Sequence, residues 1–191
     1  VALTLPITHS LRKKERAMST PYPMALAVAE RVLKVCTVLN ILYGAALVLL
    51  LGATLVAPTF ISVALVGQQP DASGTLLLGM RLLILVGFVA VPIAHGLLSR
   101  LRAMLASVRA GDPFVGVNAT RLYGIATAVL GLELLHLVVG MIVRREAFIA
   151  RGIHIDWSFS FTPWISVLLL FVLAQVFDHG ARMREDLDGL V

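Results

Sequence analysis

Three ionisable residues, Arg81, Glu133 and His136, fall inside otherwise apolar stretches of this 191-residue chain. Inserting an ionised side chain into hydrocarbon costs at least about 2.5 to 3.5 kcal/mol, so each needs a partner or a task. Glu133 and His136 are three residues apart and share one helix face. Counted along the chain, they lie at the depth of Arg81 to within about one helical turn. The spacing predicts an ion pair between Arg81 and Glu133 with His136 alongside. A pair of this kind fixes register between helices without doing chemistry; a proton or ion pathway is the alternative. Glu-x-x-His is also a spacing of carboxylate-bridged di-metal bundles, which need a second copy and two further glutamates. Only one copy is present, and no metal site is expected. His95 and His136 are candidate axial ligands for haem or a chlorin, because neutral imidazole in an apolar site suits such metals. Buried histidines bonded to a neighbouring helix are the plainer reading, with Asn40 at the depth of His95. The sequence requires no cofactor. It contains no nucleophile elbow, P-loop, dinucleotide fingerprint or zinc-protease helix, so no catalytic residue is assigned and the expectation is a non-enzymatic protein.

The elements that must position these residues follow from composition. Hydrophobic residues make up 59% of the chain and charged residues 14%, far from the balance of a water-soluble domain. The apolar residues gather into four runs, about 35–57, 76–98, 119–143 and 164–179. Each is long enough, or nearly so, to cross a hydrocarbon core of roughly 30 Å. Pro58 closes the first and Gly180 the last. The fold expected is all-α, a membrane bundle of four transmembrane helices. It divides into a basic segment 1–34, a transmembrane domain 35–183 and an acidic tail 184–191. Two starts are open, Val1 as an alternative initiation or Met18 as the natural one, with the balance toward Met18, which would make 1–17 an upstream extension. The first run is too long for a cleaved signal peptide and is expected to remain as an anchor.

Lys and Arg set the orientation. Twelve of the sixteen fall in the N-terminal segment (Arg12, Lys13, Lys14, Arg16, Arg31, Lys34), between spans two and three (Arg100, Arg102, Arg109, Arg121) and after span four (Arg182, Arg184). Arg144, Arg145 and Arg151 lie on the other side, with Trp157 and Trp164 marking the interface there. Both termini are therefore expected inside, in the bacterial cytoplasmic membrane. The net charge of +5 belongs to this topology rather than to a nucleic-acid surface. Cys36 is the lone cysteine and excludes a disulfide framework.

After span two, Leu97, Leu98, Leu101, Met104, Leu105 and Val108 share a helical face opposite Arg100, Arg102, Ser107 and Arg109. An amphipathic helix is expected there, lying on the leaflet or docking a partner. Gly44, Ala45, Gly52 and Ala53 in span one, with Gly124, Ala128 and Gly131 in span three, allow close helix approach. His95-Gly96 with Arg100, Arg102 and Leu105 is echoed by His179-Gly180 with Arg182, Arg184 and Leu187, the pattern a duplicated hairpin would leave.

The loop sequence Arg109-Ala-Gly111-Asp-Pro113-Phe114, with Asn118, Arg121 and Gly124 downstream, and the tail Phe177-Asp-His-Gly180 followed by Arg184-Glu185-Asp186-Leu187-Asp188, resemble the bacterial four-helix membrane family filed as domain of unknown function number 2975. The resemblance covers roughly 29–191. It implies no activity and no residue role, but a small cytoplasmic helix-turn-helix regulator as a partner. Physically, Gly111 and Pro113 break the amphipathic helix, Phe114 buries at the interface and Asn118 caps span three. The acidic tail residues Glu185, Asp186 and Asp188 are placed to meet Arg100, Arg102 and Arg109.

The function expected is contact with other proteins in the lipid bilayer, as a membrane-tethered partner of a cytoplasmic regulator. The rivals are an accessory subunit of a larger membrane complex, energy-converting and pigment- or haem-containing, and a small transporter or channel subunit.

Overall fold

Four long helices carry the chain: α1 (Tyr22–Val56), α2 (Ser73–Arg109), α3 (Gly116–Ile149) and α4 (Thr162–Asp188). The computed structural model describes residues 22–61, 73–111, 115–149 and 160–188. The expectations for 1–17, Pro113, Phe114, Arg151 and Trp157 fall outside these residues, as do the side chains of Glu185 and Asp188. Each helix contains a stretch long and apolar enough to cross a membrane, which makes the chain an all-helical, multi-pass membrane protein.

The helices outrun the apolar stretches that define the spans. α2 has 37 residues, about 55 Å at 1.5 Å per residue, against a hydrocarbon core of about 30 Å. The segment 97–109, expected as a separate amphipathic helix, continues α2 without a break. Its apolar side, Leu97, Leu101 and Met104, packs against Leu122 and Ile125 of α3 and Ala174 of α4, the buried core at this end of the bundle. Arg144 and Arg145, expected in a loop, lie on the last turns of α3.

Proline and glycine set the helix ends. α1 stops at Val56, two residues before Pro58, whose ring nitrogen has no hydrogen to donate. α2 stops at Arg109, and Gly111 takes φ of +84° beyond it, a left-handed conformation that costs glycine little and turns the chain out of the helix. Pro92 is accommodated inside α2. Close by, Asn40 of α1 donates from Nδ2 to the carbonyl of Val91 at 3.2 Å, in place of the expected partnership with His95.

Packing is sequential: α1 rests almost wholly on α2, α2 on α3, and α3 on α4. The α1–α2 contact is drawn close by Gly44, which faces Val91, and by Gly87, where a Cβ would come within 2.8 Å of Leu47. Gly44 is legible in the sequence as a packing residue; Gly87 is not. Gly52 has open space before it and makes no close approach. In the apolar window of α1, 11% of residues are buried, against 22% in α3, so α1 is the outermost element.

Candidate functional site

The expected pairing of Arg81 with Glu133 is replaced by a bond across α1 and α2. Arg81 donates from Nη2 to the carbonyl oxygen of Thr54 at 2.7 Å. In a continuous helix that carbonyl would receive the N–H four residues on, and that residue is Pro58. The guanidinium therefore supplies the donor that proline lacks. Thr54 is fully buried and its hydroxyl turns back to Leu51 O at 2.7 Å. The Nε of Arg81 is buried with no bond among the described residues. Glu133 is half-buried on α3 and has no ion pair among the described residues, while His136, one turn on, lies on the exposed side of its helix. These three residues are not assembled into one cluster.

His95 is likewise exposed on α2. Neither histidine enters the bundle interior, and among the described residues no group of three or more His, Cys, Asp or Glu gathers as a metal site.

The polar chemistry concentrates instead at the end of the bundle where α2 passes into α3. Asn118 is the third residue of α3 and 1% exposed. From inside the first turn of α3, it ties that helix to α2. Its Nδ2 donates to Ser107 Oγ at 2.6 Å, and its Oδ1 accepts from Arg121 Nη1 at 2.9 Å. Arg121 Nη1 also reaches Ala103 O at 3.2 Å, and Ser107 donates on to Met104 O at 2.8 Å. A buried amide needs hydrogen-bond partners, and this network engages both its nitrogen and its oxygen while bonding the Arg121 guanidinium.

One turn further along α3, Gly124 carries the side chain of Arg100. A Cβ at this position would stand 2.6 Å from Arg100 Nε and 2.9 Å from its Cζ. The missing Cβ thus leaves room for the guanidinium to lie across α3. Arg100 Nη1 points at Gly124 O from 3.4 Å, at the outer edge of hydrogen bonding. The residue legible as a helix-contact glycine is thus a seat for an arginine.

Between α1 and α2, Glu30 pairs with Lys34 at 2.8 Å and with Arg109. Glu30 lies before the apolar run of span one. Its hydrogen bond to Lys34, reinforced by the charge of Arg109, holds its carboxyl below the ordinary value of 4.5. Arg102, Leu105 and Ala106 complete this cleft. The partner expected for Arg109 was the acidic tail; the structure gives it Glu30. On α4, Arg182 pairs with Asp178 at 2.8 Å and Asp186 is exposed. His179 and Gly180 line a groove between α3 and α4, beside Tyr123, whose ring meets Phe171 edge-on at 5.2 Å.

What the fold and this end of the bundle define is a four-helix, multi-pass membrane protein with a bonded polar cluster at one end. No family model, curated protein or solved structure matches the chain.

Proposed function

We propose that this chain acts by contact, as a non-enzymatic protein of the bacterial cytoplasmic membrane with both termini inside, presenting the α2–α3 end to a cytoplasmic protein. The observation that carries the reading is the ordered overshoot of α2. Its last turns extend past the length a bilayer needs and are braced on two sides, by Glu30 against Arg109 and by Asn118 against Ser107. A presented surface has to be rigid, because each side chain ordered on binding costs affinity. Ala106, Arg109 and Ala110 are exposed on this projection. The resemblance in the loop and tail adds a small helix-turn-helix regulator as the candidate partner, and the Lys and Arg bias supports the orientation.

The experiment is site-directed photocrosslinking in native membranes, from Ala106 on the projection and from Leu49 on the exposed side of α1. Capture of a soluble protein from Ala106 alone is the expected result. A second reading, an accessory subunit within a larger membrane complex, is favoured by the outer side of α1, where Val35, Leu39, Leu42 and Leu49 are all more than half exposed. Crosslinks from Leu49 to another membrane protein, with none from Ala106, would replace the first reading by the second.

A further inference from the structure

We propose that the furrow between α2 and α3 binds one anionic phospholipid, with its phosphate at Arg100 and Arg121 and an acyl chain lying along the furrow toward the membrane centre.

The furrow has a volume of about 970 Å³ and both arginines line it, a size in the range of ligand sites of about 300 to 1,000 Å³. It exists because the facing positions carry little bulk: Pro92 and Gly96 on α2, and Gly124, Ala128 and Gly131 on α3. From Arg121 to Gly131 is ten residues along α3, about 15 Å at 1.5 Å per residue. That is half the roughly 30 Å hydrocarbon thickness, the depth of one leaflet. An apolar furrow one leaflet deep with cations at its mouth has the shape and polarity of a single phospholipid.

Charge selects an anionic one. Neither Arg100 nor Arg121 has a carboxylate within ion-pair distance among the described residues, whereas Glu30 is engaged by Lys34 and Arg109, and Asp178 by Arg182. Each guanidinium has five N–H donors. Arg121 uses Nη1 alone in its bonds to Asn118 and Ala103, and Arg100 directs Nη1 alone at Gly124. The donors left over suit phosphate oxygens, which guanidinium groups bind in paired fashion. Both cations are already positioned, Arg121 by Asn118 and Arg100 by its seat over Gly124. Basic pockets between membrane helices commonly hold lipid headgroups of this kind.

The test is native mass spectrometry of the full chain released from mixed phosphatidylglycerol and phosphatidylcholine vesicles with identical acyl chains. Wild type should retain one phosphatidylglycerol per chain in preference to phosphatidylcholine. Arg100→Gln should lower that retention about fivefold, the effect of one basic residue at an anionic surface. Gly131→Leu, which keeps both arginines but fills the furrow, should lower it as well. Arg182→Gln, on the neighbouring groove, should leave it unchanged. If Arg100→Gln fails to fold, Arg100→Lys, which keeps the charge without the planar fork, should retain an intermediate amount. Equal retention of the two lipids, no loss in Arg100→Gln or Arg100→Lys, or a loss in Arg182→Gln as large as in Arg100→Gln would each overturn the site.

Discussion

Arg81 donates from Nη2 to the carbonyl oxygen of Thr54 at 2.7 Å, the carbonyl that Pro58, four residues on, has no N–H to satisfy. A charge inside a span is thus explained by a backbone need on the neighbouring helix. Proline at a helix end ordinarily exposes carbonyls to water. Within a membrane that remedy is missing, and a side chain from another helix supplies the bond.

This relationship predicts a coupled stability effect. Arg81→Leu should destabilise the protein by about 1.5 to 3 kcal/mol, the range for a hydrogen bond from a charged donor, read as a shift in thermal unfolding in detergent. In a Pro58→Ala background, where residue 58 regains its N–H, the same replacement should cost half as much or less. Equal costs in both backgrounds would mean that Arg81 serves some other need.

Gly124→Ala should destabilise by about 1 kcal/mol at most, because the added methyl displaces only the far end of the exposed, flexible Arg100 side chain. Combining it with Arg100→Ala removes the clash and should recover most of the loss, since residues in contact are not additive. A chain in which the two losses simply sum does not use Gly124 as the seat of Arg100.

The Glu30 contact gives a pH dependence. Its carboxyl titrates below the ordinary 4.5, so the tie between α1 and α2 is complete above that value and is lost as pH falls through the lowered one. At neutral pH and low salt, spin labels at the α1 and α2 ends should separate more widely in Glu30→Gln than in wild type. Acidified below the lowered value, the two should coincide. Raising the salt should narrow the difference at neutral pH, because the pair is partly exposed and open to screening.

Orientation is tested by labelling. In a Cys36→Ser background, Ala106→Cys should resist a membrane-impermeant maleimide in intact cells and Phe161→Cys should react. Both positions are exposed, at opposite ends of the bundle. The reverse pattern would invert the topology and place the α2–α3 end outside.

The four helices were legible because a bilayer demands about twenty apolar residues per crossing, and runs of that length leave a plain trace. Their extent was not legible. Past Leu98 the expected amphipathic helix proves continuous with span two, and past Val143, where the sequence turns polar, α3 runs on, since helix formation on a helix already begun adds a bond per residue without a new nucleus. That underestimate also hid Glu30, which forms an i, i+4 pair with Lys34 only if α1 begins before residue 35. The partner of Arg81 was missed for a different reason. Its acceptor is not an opposite charge at matching depth but a backbone carbonyl freed by a proline on another helix, which leaves no mark among the ionisable residues. Within the loop motif, Gly111 proved legible as a helix stop. The role of Asn118 did not, because cap chemistry and a cross-helix bond draw on the same amide.

Because the helices pack almost wholly on their neighbours in sequence, the chain is suited to assembly in the order in which it is synthesised. When α2 leaves the translocon its docking surface on α1, set by Gly44 and Leu47, is already in the bilayer, and the donor for Thr54 arrives with it. α3 then meets a completed α2, and α4 a completed α3. No segment has to wait for a distant one, and the loop-closure entropy paid at each step is that of one short connection. The same order makes α1 the segment that separates most easily from the finished protein. Pulled from its N-terminal end, the chain should yield α1 first and leave the remaining three helices, with the core around Leu122, Ile125 and Ala174, still joined.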